Sequence, residues 1–271
     1  MYILAIETTG PFGSVALINE NEEIISKSSD ERMNHLRDLM PMAQEIIDET
    51  GIKKSQLTAV AASIGPGSFT GIRIGVSTAR AVAQALELPC ISVPTLDTFK
   101  LKGNFGSDCQ SGDDQNQWEN FIICPIFDAR RNQVYGGIFT NKGETILKSG
   151  PYMLEEVLSK LIESANLPII FYGDGIDAYE EKIDAYFVQS VGSAVQSDKL
   201  VQYKFANKEE RYQTATMVAM VALSKYRDGE LIGVDQLIPD YMRVAEAESK
   251  LKNGILAKEH AAKMARMKEH Q

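Results

Sequence analysis

The chain has 271 residues, with 28 Lys and Arg against 37 Asp and Glu, a formal net charge of −9, and 44% apolar residues. That length suits one large domain or two small lobes burying about 75% of the unfolded surface. The acidic balance argues against a protein that grips nucleic acid alone across a broad basic face. No apolar run is long enough to span a bilayer, and the N-terminus enters a strand with no signal-peptide pattern. Cys90, Cys109 and Cys124 are an odd set without CxxC spacing, as expected of a reduced, cytoplasmic protein.

In chain order, Tyr2 to Glu7 and Ser14 to Ile18 read as strands joined by a turn over residues 8–13, and Glu23 to Ser28 completes a meander. After Glu7, the Thr8 and Thr9 hydroxyls either hold a phosphate or cap the turn. A helix follows from Asn34 to Glu49 with a wide apolar stripe of Leu36, Leu39, Met40, Ala43, Ile46 and Ile47, and Pro41 is expected to kink or restart it. His35 reads as a cap or a surface residue, with no second histidine at ligand spacing.

The stretch from Ala61 to Cys90 is a short buried strand (Val60 to Ile64), the turn Gly65-Pro66-Gly67-Ser68, and a helix over residues 70–88 that Pro89 closes. Ser68 and Thr70 offer hydroxyls to its first turn. Ile72, Val76, Ala79, Val82, Ala83 and Leu86 recur at steps of three and four, forming one apolar stripe. Gly71, Gly75 and Ala79 form a line of small residues that admits another backbone closely. The turn is either an anion cradle at a helix N-terminus or an ordinary strand-to-helix corner. It lacks the Gly-Lys-Ser/Thr of a P-loop and the G-x-G-x-x-G spacing of the Rossmann fingerprint.

Ile91 to Val93 is a strand, and Thr95-Leu96-Asp97 opens a short helix. Residues 102–120 are rich in Gly, Ser, Asp, Asn and Gln and read as a loop insertion at the boundary between two lobes. Strands are expected at Phe121 to Phe127, Asn132 to Thr140, Thr145 to Lys148 and Pro168 to Phe171, with a helix at Leu154 to Glu163. Asp128 and Arg130 suit a structural ion pair in a tight turn, with an exposed site for phosphate or a partner as the alternative, and Tyr172-Gly173-Asp174-Gly175 reads as a strand-to-helix corner or as another phosphate loop. Thr214 to Arg227 is a closing helix. The tail from Lys250 is lysine-rich and reads as a solvated helix or a contact to a nucleic-acid backbone or a partner. The lobes are taken as residues 1–102, with the closing helix of 212–228 returning to them, and 103–211; residues 229–271 form a C-terminal segment.

Several of these stretches together are similar to one family. The opening ILAIETTGPFGSVALI and GPGSFTGIRIGVSTARAVAQALELP resemble the TsaB (YeaZ) family of bacterial tRNA threonylcarbamoyladenosine biosynthesis. So do Asn34-His35-Leu36, the run Phe127-Asp128-Ala129-Arg130-Arg131-Asn132-Gln133-Val134-Tyr135, and Pro239-Asp240-Tyr241-Met242-Arg243 with Ala245-Glu246-Ala247-Glu248. The resemblance implies a two-lobed α/β fold of the actin-like, Hsp70-like (ASKHA), ribonuclease-H-like type, a mixed sheet with flanking helices in each lobe. It implies a scaffold subunit that binds a TsaD-type transferase and acts with a TsaE-type ATPase, meets tRNA only within the complex, and forms a homodimer when alone. No membrane is expected as a partner.

The partner interface that goes with this reading is His35, Leu36, Leu39, Met42, Gly71, Ile72, Gly75, Val76 and Ala79. A nucleotide or phosphate loop would use Glu7, Thr8, Thr9, Gly65, Gly67 and Ser68, with ATP or ADP lodging at the joint with the partner and no tightly bound cofactor. The superfamily usually places Asp where Glu7 stands, and no second phosphate-loop aspartate is evident. The TsaD family carries an HxxxH metal motif after its next strand; here that place reads Pro94-Thr95-Leu96-Asp97-Thr98. Neither a catalytic set nor a metal site is expected. A kinase-like ATP-binding enzyme and a glycoprotease-like peptidase are the alternatives.

Overall fold

The computed structural model describes residues 1–32, 34–103, 118–164, 167–193 and 201–242, and the side chains of 189–193 lie outside that description. The loop centred on 104–117 with Cys109, the 243–248 part of the motif at 239–248, and the lysine-rich tail with its two histidines fall outside the described residues. Residues 1–240 form one compact unit; in the second unit, 241–271, the described residues are Tyr241 and Met242.

Two five-stranded sheets make up the first unit. The first contains β1 (Tyr2–Glu7), β2 (Ser14–Asn19), β3 (Ile24–Ser28), β4 (Leu57–Gly65) and β5 (Cys90–Pro94), in the order β3-β2-β1-β4-β5. β1, β2 and β3 form the antiparallel meander, while β4 runs parallel to both β1 and β5. The second contains β6 (Ile122–Asp128), β7 (Gln133–Thr140), β8 (Thr145–Met153), β9 (Ile169–Tyr172) and β10 (Tyr203–Phe205), in the order β10-β9-β6-β7-β8. Read from β8, this is the same plan: an antiparallel meander of three, then two parallel strands. The chain is therefore two lobes of one topology, the actin-like, ribonuclease-H-like arrangement.

Alternation along the strands dictates what covers each face. Ile3, Ala5, Ala16, Ile18, Ala59, Ala61, Ile91 and Val93 point to one side and pack with Ala215, Val218, Ala219, Ala222 and Leu223 of α5 (Ala215–Arg227). The intervening Leu4, Ile6, Val15, Leu17, Val60 and Ala62 are equally buried, and on that face lie α1 (His35–Thr50) and α2 (Phe69–Ala85). α1 continues through Pro41 without restarting. In the second lobe α3 (Leu154–Ser164) and α4 (Gly175–Ser193) cover one face with Val157, Leu158, Leu161, Ile176, Ile183 and Phe187. α4 starts at the strand-to-helix corner expected at 172–175, while β10 had no counterpart among the predicted elements.

The other face of the second sheet joins the lobes. Phe121, Ile123, Phe127, Phe139, Ile170 and Tyr172 pack against Leu96 and Phe99 of the 3-10 helix Thr95–Gly103 and against Met217 of α5. Phe99 meets Phe127 edge-on at 5.8 Å and Tyr172 at 5.9 Å. Interior of this kind is close-packed and contributes about 1.5–3 kcal/mol per fully buried large apolar side chain.

Candidate functional site

Because the lobes repeat one topology, each presents the same two corners: a turn after its first strand and a turn from its fourth strand into a helix. In the first lobe these are residues 8–13, after Glu7, and Gly65-Pro66-Gly67-Ser68. In the second they are residues 129–132, after Asp128, and Gly173-Asp174-Gly175. Asp128 is thus the counterpart of Glu7, the last residue of β6 as Glu7 is of β1. The expectation that a second acidic residue is missing is corrected by this register, which depends on strand order and not on motif spacing.

The first pair of corners is knotted together. Ser68 caps α2 by accepting from Gly71 N–H at 3.2 Å, and Ser68 N–H donates 2.8 Å to Thr9 O. Thr8 Oγ1 donates 2.7 Å to Gly71 O. Thr9 N–H and Thr9 Oγ1 both donate to Glu7 Oε1, the hydroxyl at 2.6 Å. Gln213, arriving from the connector into α5, donates through Nε2 to Thr9 Oγ1 at 2.8 Å. The glycines are explained by these approaches. A Cβ on Gly67, whose φ is +152°, would lie 2.6 Å from Thr9 O, and Gly65 at φ +120° faces the backbone oxygen of Asp240. Asp240 N–H in turn donates 2.8 Å to Ile64 O, which ties residue 240 to the corner.

Glu7 is fully buried with Oε2 unpartnered, near the equally unpartnered Ser63 hydroxyl. Burial pushes its carboxyl up from 4.5; Ser63, Thr9 and the Gly10 backbone act against that and burial wins. Burial thus disfavours its charged form relative to an exposed carboxyl. The groups that would cradle a phosphate, namely the Thr8 and Thr9 hydroxyls and the N–H groups of Thr9, Ser68 and Gly71, are engaged with one another.

The expected interface residues lie elsewhere than on a surface. Gly71, Ile72, Gly75, Val76 and Ala79 of α2 are buried, as are Leu39 and Met42 of α1. The line of small residues does admit a close backbone, but that backbone is the chain's own: a methyl on Gly71 would fall onto Thr8 O and one on Gly75 onto Thr8 Oγ1. His35 is 1% exposed, a correction to its reading as a cap or surface residue. Its imidazole lies under the first hairpin, Nδ1 being 2.8 Å from where a Cβ on Gly13 would stand. The ring nitrogens lack a well-formed hydrogen bond. Burial lowers the His35 pKa, outweighing the Gly10 backbone and Asp38, so the neutral ring is favoured. Of the nine residues only Leu36, 80% exposed, faces outward. What the two helices do expose is Leu36 and Met40, one turn apart on α1, and Phe69 at the start of α2, over whose ring the Arg73 guanidinium stacks at 3.9 Å. Periodicity names the stripe of a helix but not which neighbour consumes it, so Phe69 and Met40 were missed as surface.

The second pair of corners is organised differently. Asp128 Oδ1 accepts from Arg130 N–H at 2.8 Å and from Tyr179 OH at 2.8 Å, and Oδ2 pairs with Arg130 Nη1 at 3.1 Å. Asp174 accepts from Asp128 N–H at 3.3 Å; burial first, then the charges of Asp128 and Asp177, push its carboxyl up to about 6. Arg130, Arg131 and Asn132 all have positive φ, at 66°, 56° and 63°. For the arginines this costs on the order of 1 kcal/mol each, while asparagine tolerates it. Arg211, 7% exposed, donates to Asp177 at 2.6 Å and to Ala206 O, and its own carbonyl accepts from Gly173 N–H at 2.7 Å. The connector from 206 to 214 therefore runs from the second-lobe corner at Gly173 to the first-lobe corner at Thr9. Among the described residues no group of three or more His, Cys, Asp or Glu is placed to hold a metal ion, and no helix is long and apolar enough to cross a membrane.

Residues 25–251 match the family model described as TsaD, tRNA N6-adenosine threonylcarbamoyltransferase. Along nearly its whole length the chain is similar to the tRNA threonylcarbamoyladenosine biosynthesis protein TsaB of Bacillus subtilis, at 29% identity over 92% of this chain and 97% of that protein. The chain belongs to the TsaB (YeaZ) branch of this family. TsaB of Escherichia coli is 41% identical over 104 residues, 36% of this chain and 42% of that one. A crystal structure of a Pseudomonas aeruginosa protein described as similar to peptidase YeaZ shares the fold, with a TM-score of 0.66 at 24% identity over 89% of this chain and 99% of that one.

Proposed function

We propose that this TsaB-family chain serves tRNA threonylcarbamoyladenosine biosynthesis as a non-catalytic subunit that docks on a TsaD-type transferase through the outer face of α1 and α2. The observation that carries the reading is the contrast between two surfaces. The corners that would hold a nucleotide are closed by the chain's own donors and by Gln213, while Leu36, Met40 and Phe69 stand exposed on two helices that touch each other. Exposed large apolar side chains gathered on adjoining helices suit a partner surface. The mechanism is conformational: the docked face stabilises the partner's active arrangement, a TsaE-type ATPase acts on the assembled pair, and tRNA is met in that assembly. Without its partner the same face closes on a second copy, as an isologous dimer. The unpaired Cys90 and Cys124 suit a reducing, cytoplasmic setting.

The kinase-like alternative needs free phosphate donors at the first corner, where the Thr8 and Thr9 hydroxyls and the Ser68 and Gly71 N–H groups are already bonded within the chain. The peptidase alternative needs a nucleophile beside a base, and the one histidine in the described residues is buried in the first lobe.

Purified chain, wild type or carrying Leu36→Asp with Phe69→Asp, is mixed with the TsaD-type transferase of the same genome, and the affinity and melting temperature are measured. Loss of binding by a hundredfold or more with melting unchanged within about 2 °C is expected, since exposed substitutions alter stability by less than about 0.5 kcal/mol. Unchanged affinity overturns the docking face.

A further inference from the structure

The two equivalent corners after β1 and β6 have opposite fates. The first is sealed: Glu7, Thr8, Thr9 and Gly10 are buried beneath Gln213 and α2. The second projects, and it does so in a costly conformation. Three successive non-glycine residues, Arg130, Arg131 and Asn132, lie in the left-handed region. Their surroundings hold them there. Asp128 takes the Arg130 N–H and the Tyr179 hydroxyl, Asn132 O accepts from Leu154 N–H at 2.9 Å, and Lys182 Nζ donates to Asn132 Oδ1 at 2.5 Å. Ala129 N–H and Gln133 N–H close the turn at 3.0 Å each. The outcome of this over-determined backbone is that Arg130 and Arg131 are both exposed, the Arg130 side chain at 86% even while its Nη1 pairs with Asp128 Oδ2 at 3.1 Å, with the exposed Lys182 reaching the same turn through Asn132. Strain that the rest of the structure enforces, at a residue type which does not want it, marks a place held for use.

We propose that the Arg130–Arg131 corner is a contact for the phosphate backbone of RNA, used on the tRNA that the assembled complex handles; the proposal rests on the tRNA reading given above. Arginine rather than lysine, presented in a fixed turn, suits the planar, two-pronged recognition of phosphate oxygens. In a chain of net charge −9 a contact of this kind does not capture RNA alone; it positions RNA already held by a partner. An acidic protein surface is the competing occupant. Against it, the corner itself offers little apolar surface: its three exposed residues, Arg130, Arg131 and Asn132, are polar, and the exposed Met153, opposite Gln133 in the β7–β8 ladder, is the large apolar side chain beside them.

The test uses the full chain in complex with the TsaD-type transferase, titrated with tRNA transcript at several salt concentrations. Variants are Arg130→Asn with Arg131→Asn, which removes both charges and relieves the left-handed strain, and Arg130→Lys with Arg131→Lys, which keeps the charges. The Asn pair is expected to weaken tRNA binding about tenfold, as for two surface ion pairs. It should also lower the slope of log K against log salt by roughly 1.4–1.8, as for two phosphate contacts. Its melting temperature should be equal or higher, since asparagine accepts the turn. The Lys pair should retain the slope while losing part of the affinity. An unchanged slope and affinity in the Asn pair overturns the proposal, as does loss of transferase binding by that pair in a separate binding measurement without tRNA, which would mark the corner as a protein contact. Failure of the wild-type complex itself to bind tRNA removes the tRNA reading and this inference with it, and is told apart by the wild-type titration.

Discussion

Replacing Gly75 by alanine decides whether the small-residue line of α2 serves the chain's own fold or an outside partner. In an open helix the change would be favourable by about 1 kcal/mol, because alanine orders more cheaply than glycine. Here the new methyl lands on the Thr8 hydroxyl, with Thr8 Cβ at 3.5 Å and Cγ2 at 3.7 Å, so the hydroxyl must turn away. That breaks its 2.7 Å bond to Gly71 O, at roughly 0.5–1.5 kcal/mol. Crowding of a close-packed site adds roughly 1–3 kcal/mol. The net expectation is a destabilisation of about 1–3 kcal/mol, or a melting temperature lower by roughly 2–5 °C for a chain of this size. Gly71→Ala should cost more, because the obstacle is the Thr8 carbonyl, whose carbon lies 3.1 Å from the added methyl and which cannot rotate aside. Adding Thr8→Ala to Gly75→Ala removes the obstructing hydroxyl and should recover part of the loss, a coupling visible in a double-mutant cycle. Thermal and denaturant melts of the wild type, the three single variants and the double variant supply every number needed. A Gly75→Ala protein as stable as wild type that fails to bind its partner would refute the reasoning and return the glycine line to the interface.

Four pH and packing outcomes rest on the same reasoning. Asp174, with a folded value of about 6 against 3.8, holds its proton more tightly when folded; stability should fall as pH rises from about 4 to 6 and then level off. Asp174→Asn should flatten that slope, and carboxyl titration by NMR would disagree if the group were ordinary. Glu7, also raised by burial, has the same sign, so Glu7→Gln should stabilise the chain at neutral pH relative to wild type, and a loss above about 2 kcal/mol would show that the charged form is the one the fold needs. His35 has the opposite sign: its folded pKa is below 6.5, so stability is complete above that value and is lost as pH falls through the folded pKa. A His35→Phe protein whose acid melting profile below 6.5 matches wild type would exclude it. Gln213→Ala, which deletes the buried bond to Thr9 Oγ1, should cost about 1–3 kcal/mol without altering partner affinity, as checked by paired melting and binding measurements.

Local chemistry in the sequence determined a good deal. The meander of the first lobe, the strand-turn-helix at 57–85 and the Ser68 cap all follow from period-two and period-3.6 patterning with turn residues between them, and each formed within a few residues of its expected ends. The motifs at 2–18, 65–89 and 127–135 carried the family as well, since a family's corners are short and contiguous. Tertiary structure decided everything that depends on which partner a residue finds. A glycine line announces a close approach, but only the packing of Thr8 against Gly71 and Gly75 shows that the approach is internal. An apolar stripe announces burial on one side, but the exposed Leu36, Met40 and Phe69 are the residues left over when β2, β4 and α2 have taken their share. Asp128 became the match of Glu7 only when strand order revealed the second lobe as a repeat of the first. The left-handed run at Arg130 to Asn132 has no sequence signal, because arginine is not a residue that asks for that conformation; surrounding contacts from Asp128, Tyr179 and Lys182 impose it.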